Sequence, residues 1–216
     1  MNTDVEVINC RASRRYCYVW VKETMEQTEN GTVNIISAEA AEKLRKGTWL
    51  MRANTACFTG HRPMFFDFEH NENEPRCLRI KERMRAAVID LIDNHGIKHF
   101  LSGMADGVDR WAADIILDLK KAYPDITLEC AIPYILQYNE WTEWNRPHYH
   151  EIMKLCDKTT YLQEEYTEDC FLKRDHYMVD QSSQVIAVWS GVPSGTGDTI
   201  QYADEQEVNV IYINLK

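Results

Sequence analysis

The chain lacks long hydrophobic runs, is poor in glycine and proline, and carries no surplus of basic charge. No stretch approaches the roughly 18 consecutive apolar residues of a transmembrane helix, so we expect no membrane span. With 9 Gly, 6 Pro and 44% hydrophobic residues among 216, the composition excludes a globally disordered chain. The net charge of −10 argues against binding nucleic acid through a broad basic face.

Paired cysteine motifs are also absent. The seven cysteines include no CxxC pair, and His148, His150 and Cys156 match none of the common zinc-ligand spacings. The first twenty residues hold no apolar block of the kind found in a secretory signal. We therefore expect a cytoplasmic protein with reduced thiols, and neither a metal nor another cofactor.

The acidic charge is unevenly distributed along the chain. Residues 1–54 carry 8 Lys and Arg against 7 Asp and Glu, whereas residues 55–216 carry 16 against 27. The overall field of the larger part therefore repels anions. An anionic ligand bound there has to be held locally, by backbone amides and a few cationic side chains.

From residue 55 onward, short apolar runs alternate with segments of helical periodicity. Continuous apolar runs are typical of strands covered on both faces, and their alternation with helices favours a parallel sheet. The pattern predicts an α/β, Rossmann-like three-layer fold with a mostly parallel sheet, whose ligands bind beyond the carboxyl ends of the strands. Strands are predicted at 56–58, 99–101, 128–132, 159–162, 185–189 and 210–213, and helices at 80–92, 108–119, 146–156, 170–180 and 196–207.

Residues 1–54 follow a different pattern, which predicts a small αβ extension. Its strands are predicted at 5–10, 16–21 and 32–36, followed by a short helix capped by Ser37. No motif in this part points to chemistry. We therefore divide the chain into the extension, 1–54, and a Rossmann-like nucleotide-ligand-binding domain, 55–216.

The loop after the first predicted strand of the larger domain combines glycine with cationic side chains. Gly60 permits a sharp turn or close backbone approach to a ligand. His61 and Arg62 follow directly and offer hydrogen-bond donors to an anion. This combination at a strand's carboxyl end favours ligand binding over a plain turn.

The loop after the second strand begins at Ser102 and opens the most amphipathic helix of the chain. Gly103 and Gly107 precede that helix, where free amides and the positive end of the helix dipole favour a phosphate group. We expect Asp106 to cap the helix. Asp109 either completes the cap or holds a ribose hydroxyl, and the sequence leaves both roles open.

A third loop, 191–199, follows the strand at 185–189 and is rich in Gly, Ser and Thr. Gly195 and Thr196 lie where a phosphate cradle before a helix would form. The dinucleotide and P-loop fingerprints, GxGxxG and GxxxxGK[ST], are absent.

Trp141 and Trp144 follow the third strand of this domain, where one of them could stack on a base, although packing in the core is the stronger interpretation.

Together these motifs resemble the SLOG superfamily, and within it the YpsA-like bacterial proteins of unassigned activity. The resemblance spans about residues 55–216 and leaves 1–54 outside. The residues that carry it are Phe58 to Pro63, Leu101 to Asp109, Trp111 to Ala113, Ala131 to Pro133, Gln137, Trp141, Tyr149, Arg174, Tyr177 to Asp180, and Gly195 with Thr196.

The resemblance implies a Rossmann-like fold that binds a nucleotide or a nucleotide-derived ligand, such as ADP-ribose, in a bacterial or phage sensor or regulator. It also implies self-association, so a homodimer is expected. The ligand contacts carried over residue by residue are Gly60, His61, Arg62, Ser102, Gly103, Gly107, Asp109, Arg174, Gly195 and Thr196.

Two other functions remain open. The LOG branch, which cleaves cytokinin nucleotides, uses a PGGxGT loop followed by a catalytic Glu, whereas this chain has Ser194 in place of the first glycine and no such Glu. An N-glycoside hydrolase acting on a nucleoside 5′-monophosphate or NAD would then depend on Asp109 or Asp198 as its carboxylate.

The DprA relatives suggest handling of single-stranded DNA, which the acidic charge of 55–216 argues against.

Overall fold

The computed structural model describes residues 51–140 and 145–215. The predicted strands and helix of the N-terminal extension, together with Trp141 and Trp144, lie outside the described residues. The first described strand begins at Thr55.

Six strands form one sheet in the order β4-β3-β2-β1-β5-β6, and every neighbouring pair is parallel. The prediction of a Rossmann-like α/β fold with a parallel sheet is confirmed, and each predicted strand is found to within two residues. The strands are β1 (Thr55–Gly60), β2 (His99–Ser102), β3 (Thr127–Ile132), β4 (Lys158–Tyr161), β5 (Gln184–Val188) and β6 (Asn209–Tyr212).

Five α-helices are described over their full length, and they match the predicted helices. Glu74 caps the first of them through a 2.6 Å bond from the Arg76 amide, and Gly96 ends it with a left-handed φ of 67°. The helices are α1 (Pro75–His95), α2 (Val108–Leu119), α3 (Arg146–Leu155), α4 (Cys170–Asp180) and α5 (Gly195–Glu205). No helix within these described ranges is both long and apolar enough to cross a membrane.

The four inner strands, β1, β2, β3 and β5, send alternate side chains to two separate cores. Ala56 and Phe58 of β1 belong to the larger core, which α1, α2 and α3 cover, whereas Cys57 belongs to the smaller one under α4 and α5. Trp111 of α2 is 1% exposed in the larger core, as predicted. Burial on both faces explains why the strand sequences are continuously apolar rather than alternating.

The direction in which the chain adds strands reverses beside β1. The chain proceeds outward from β1 through β2 and β3 to β4, and then returns through α4 to place β5 on the other side of β1. This reversal makes the carboxyl edge between β1 and β5 the topological switch point, where open α/β sheets bind their ligands. The loops after β1 and β5 therefore frame the candidate site.

Candidate functional site

Gly60, the last residue of β1, is held against the first residue of α2. A Cβ at Gly60 would lie 2.5–2.7 Å from three side-chain atoms of Val108, which is fully buried. Glycine is therefore required here so that α2 can pack closely on the end of β1. This contact fixes the β1 loop relative to the start of α2.

Replacing Gly60 with alanine is expected to lower the free energy of unfolding by about 1–3 kcal/mol, because Val108 has no room to give way. Urea unfolding of the variant measures the loss. Gly195→Ala is the matched control, since an added Cβ there meets nothing within 4 Å. Equal stability of Gly60→Ala and the wild type would contradict the packing described here.

His61 joins the β1 loop to the β5 loop. Its Nε2 accepts a 3.1 Å bond from the Ser190 amide and lies 2.8 Å from the Ser190 hydroxyl. Burial lowers the pKa of the imidazole, which is 1% exposed and stacks on Phe65 with ring centroids 5.0 Å apart. His61 thus holds the two loops of the switch point together as a neutral ring.

Arg62 is the exposed cation of the site. Its guanidinium carbon lies 5.6 Å from the centre of the Phe171 ring, at the start of α4. No hydrogen bond or ion pair within residues 51–140 and 145–215 engages this guanidinium. Its donors are therefore available to a ligand, and the anion-binding role predicted for Arg62 stays a prediction.

The β2–α2 loop, in contrast, is closed upon itself. Ser102 is fully buried, donates a 2.7 Å bond to the Asp109 carbonyl and accepts one from the Met104 amide. Gly103 and Gly107 are also buried, and a Cβ at Gly107 would meet the His61 carbonyl at 2.9 Å. These residues support the site from beneath rather than line an open cradle.

Arg174 of α4 is the central cation of a buried network below the loops. It is 5% exposed and donates to the Gly103 carbonyl, while Nη1 lies 3.3 Å from Oδ2 of Asp109. Its Nε lies 2.8 Å from Oδ1 of Asp175. The network therefore connects the β2 loop with α2 and α4.

The two carboxyls of this network, Asp109 and Asp175, both have raised pKa values. Burial raises the pKa of Asp109 to about 6, against the opposing effect of Arg174, and the nearby Asp175 raises it further. Burial likewise raises the pKa of Asp175, again opposed by Arg174. One guanidinium therefore serves two buried carboxylates, which makes Arg174 indispensable to the charge balance of the network.

The two candidate catalytic carboxylates lie in different environments. Asp109 is engaged by Arg174 and by the Ala105 amide, 3.3 Å from its Oδ2. Asp198 lies exposed in the first turn of α5. One candidate carboxylate is therefore buried and paired, and the other is exposed.

The exposed glycines of the site belong to the β5–α5 loop. Gly191 and Gly195 are both exposed, and nothing lies within 4 Å of a Cβ placed on either one. Thr196 follows at 7% exposure, in the first turn of α5. The start of α5 thus has an exposed glycine, Gly195, beside the switch point, at the end of the helix that favours anions.

The expected helix cap by Asp106 is wrong. Gly107 is the N-cap residue of α2 and no side chain caps the helix. Asp106 instead pairs with Arg110 one turn later and accepts a 3.0 Å bond from the Asn145 amide nitrogen. The buried Arg110 guanidinium attracts the carboxylate away from the helix end.

Sequence reasoning missed two residues that complete the surroundings of the site. Asp175 pairs with Arg174, yet it is an ordinary polar residue in a helix with no motif around it. Phe171 contacts Arg62 through its ring face, and its position in the first turn of α4 was the only available signal.

Within the described ranges, no group of three His, Cys, Asp or Glu residues could hold a metal ion.

Comparison with known sequences assigns the family. The sequence model of the YspA SLOG family (YpsA) matches residues 56–214, which includes every element described above. The chain belongs to the YspA SLOG family. The resemblance seen in the strand-end motifs is thereby confirmed.

Relatives of this SLOG-family chain occur in Bacillus and related bacteria. The SPbeta prophage-derived protein YoqJ of Bacillus subtilis is 28% identical over 141 residues, which cover 60% of this chain and 82% of YoqJ. The UPF0398 protein BH1768 of Halalkalibacterium halodurans is 27% identical over 146 residues, covering 65% of this chain and 76% of its own length.

Two solved structures share the fold of the SLOG domain. DNA processing protein A (DprA) from Streptococcus pneumoniae superposes with a TM-score of 0.52 at 16% identity, covering 76% of this chain and 51% of that one. The DprA of Helicobacter pylori, described for its single-stranded DNA binding mode, superposes with a TM-score of 0.51 at 17% identity. The match covers 74% of this chain and 65% of that DprA. The chain therefore spans only about half to two thirds of these neighbours.

Proposed function

We propose that this SLOG-family protein binds a nucleoside phosphate or an ADP-ribose-like ligand at the carboxyl edge between β1 and β5, as a sensor or regulatory protein. The observation that carries the proposal is the pairing of an open glycine loop with an exposed cation at the topological switch point. Gly191 and Gly195 leave the start of α5 accessible, and Arg62 stands in the loop after the neighbouring strand, β1.

The local geometry supports an anion at this point in spite of the acidic charge of the domain. Backbone amides at the first turn of α5 point along the helix axis and carry the positive end of its dipole. Arg62 supplies a full positive charge from the opposite loop. Because residues 55–216 carry 16 Lys and Arg against 27 Asp and Glu, the site selects ligands whose negative charge is compact.

The buried network supports the proposal from below. Arg174 bonds to the Gly103 carbonyl and pairs with Asp109 and Asp175, so the loop after β2 and the first turn of α2 are tied to α4. His61 bonds to Ser190 and ties the β1 loop to the β5 loop. A site held in this way needs little rearrangement to receive a ligand, which favours affinity.

Replacing Arg62 with alanine is expected to weaken binding of ADP-ribose or AMP by tenfold or more, since a charge-assisted bond to phosphate is lost. Isothermal titration of both variants with ADP-ribose, NAD and nucleoside monophosphates measures the change. Lys98→Ala is the control, because it removes the same charge from an exposed position at the amino end of β2. Equal affinities for wild type and Arg62→Ala would remove Arg62 from the site.

Single-stranded DNA is a second candidate ligand, favoured by the structural similarity to the two DprA proteins. Its phosphates would follow the same switch-point edge past Arg62. The acidic balance of residues 55–216 opposes a polyanion more strongly than a mononucleotide. A gel shift with a labelled oligonucleotide at several salt concentrations distinguishes the two ligands, since only the DNA complex would weaken steeply with salt.

As a function of this protein, we rank hydrolysis of an N-glycosidic bond below ligand binding without catalysis. Asp109 is taken up by Arg174, and Asp198 is exposed, whereas a carboxylate acting on a glycosidic bond has to be held close to the reacting carbon. Release of free base from a nucleoside monophosphate, lost in Asp198→Asn, would reverse this order.

A cytoplasmic location and a homodimer complete the proposal.

A further inference from the structure

Three aromatic side chains meet at the carboxyl edge of the sheet, beside Arg62. Phe171 of α4 makes edge-to-face contacts with Tyr134 at 6.2 Å and with Tyr166 at 6.4 Å between ring centroids. Tyr134 and Tyr166 contact each other edge-to-face at 5.5 Å. Tyr134 follows β3 and Tyr166 lies between β4 and α4, so the cluster borders the crevice on the side away from β5.

The cluster is presented to solvent through Tyr166. Tyr134 is 5% exposed and forms the base of the cluster, whereas Tyr166 is 54% exposed. Arg62 extends the same surface, because its guanidinium stands over the Phe171 ring at 5.6 Å. A flat arginine backed by an aromatic ring and an adjoining exposed tyrosine is the type of surface on which planar bases stack.

The loop that carries Tyr166 is ordered by its own hydrogen bonds. The Gln163 amide donates to the Thr167 hydroxyl at 2.8 Å, and Thr167 donates to Asp169 at 2.6 Å. The Ile135 amide bonds to the Glu164 carbonyl and fastens this loop to the loop after β3. Tyr166 is therefore held in place before any ligand arrives, which reduces the entropy cost of stacking.

Charge is distributed unequally along this edge. The Tyr166 loop exposes four carboxylates, Glu164, Glu165, Glu168 and Asp169. At the other end stand Arg62 and the open amides of the α5 first turn. A phosphate is repelled from the tyrosine end and attracted to the arginine end, whereas an amino-bearing base suits the carboxylate end as a hydrogen-bond donor.

We propose that Tyr166, together with the Arg62–Phe171 pair, forms a subsite for a single nucleobase that carries an exocyclic amine. The inference rests on the proposed function and adds the orientation of the ligand. The base lies toward β3 and β4, and the phosphate lies toward β1 and α5. A strand of DNA does not fit this subsite, because its next phosphate would lie against the acidic loop.

The experiment compares AMP with ribose 5-phosphate, which has the phosphate and sugar but no base. Both are titrated calorimetrically into the wild type, Tyr166→Ala and Tyr212→Ala. Tyr212 is the matched control, because it is 55% exposed and lies on β6 at the opposite edge of the sheet. Tyr166→Phe, which keeps the ring, is the conservative variant.

Tyr166→Ala is expected to weaken AMP binding about tenfold and to leave ribose 5-phosphate binding unchanged, since only the stacking contact is removed. Tyr166→Phe and Tyr212→Ala should bind both ligands like the wild type. Equal AMP affinity in Tyr166→Ala and the wild type would overturn the base subsite while leaving the proposed function intact. Failure of the folded wild type to bind AMP, ribose 5-phosphate or ADP-ribose would overturn the proposed function, and this inference with it.

Discussion

Arg174→Met should lower the free energy of unfolding by about 3–5 kcal/mol, because the substitution leaves two carboxylates buried without their shared cation. Arg174 pairs with Asp109 at 3.3 Å and with Asp175 at 2.8 Å while bonding to the Gly103 carbonyl. Methionine fills a similar volume, so the loss comes mainly from charge rather than from packing.

The stability lost in Arg174→Met should also depend on pH, and it should be larger at high pH than at low pH. Burial already raises the pKa of Asp109 to about 6 from 3.8, and without Arg174 the folded-state pKa rises further. An acid whose pKa is higher in the folded than in the unfolded state loses stability as pH rises through its folded pKa. Arg174→Met should therefore be less destabilised at pH 4.5 than at pH 8.

Urea unfolding at pH 4.5 and pH 8 measures both effects. Arg174→Lys retains a cation and should lose less, and Asp109→Asn added to Arg174→Met should restore part of the stability at pH 8. A loss from Arg174→Met that is the same at the two pH values would show that the network contributes through packing alone.

Glu129→Gln is expected to be destabilising to a similar extent, about 3–5 kcal/mol near neutral pH. Glu129 is 2% exposed in β3, and its carboxylate accepts bonds from Thr160 and Tyr177 at 2.7 Å. His99 and Lys158 lie 2.9 Å from its other oxygen. An amide cannot accept all four bonds, and it leaves the Lys158 ammonium without its partner.

Glu129 should also determine part of the acid stability of the protein. Burial alone would raise its pKa, but the bonds from His99, Thr160 and Tyr177 and the charge of Lys158 outweigh it and lower the pKa to about 2 from 4.5. The stabilisation is present above pH 4.5 and is lost as the pH falls toward 2.

Acid titration of the free energy of unfolding tests this assignment. The wild type should lose stability steeply between pH 4.5 and 2, and Glu129→Gln should lose less over the same range. Glu82→Gln, at an exposed position on α1, is the control and should follow the wild type. Parallel acid curves for Glu129→Gln and the wild type would contradict the depressed pKa.

Most of the secondary structure could be predicted because the four inner strands are buried on both faces and each helix on one. Burial leaves a local pattern, a continuous apolar run such as Val185 to Val188 or the periodic stripe of α2, that is visible without knowing the neighbours. The order of the strands leaves no such pattern. Only the structure places β5 beside β1 and thereby locates the switch point.

The candidate site was predictable in part for the same reason. Gly60, Arg62 and Gly195 each follow or begin an element, and the carboxyl ends of parallel strands share one edge. The partner of Asp109 was not predictable, since Arg174 lies 65 residues away on a helix from the opposite layer. Glu129 was hidden for another reason: it interrupts an apolar strand, and its four partners come from three separate elements, β2, β4 and α4.

Chemical-shift mapping tests the central claim, that a nucleotide-derived ligand binds between the ends of β1 and β5, most directly. The ¹⁵N-labelled protein is titrated with ADP-ribose, and the perturbed amides are assigned. The account predicts saturable shifts at Gly60 to Arg62 and at Ser190 to Thr196, with little change around Lys98 at the amino end of β2. Shifts confined to the amino edge of the sheet, or no shifts at saturating ADP-ribose, AMP and NAD, would contradict it.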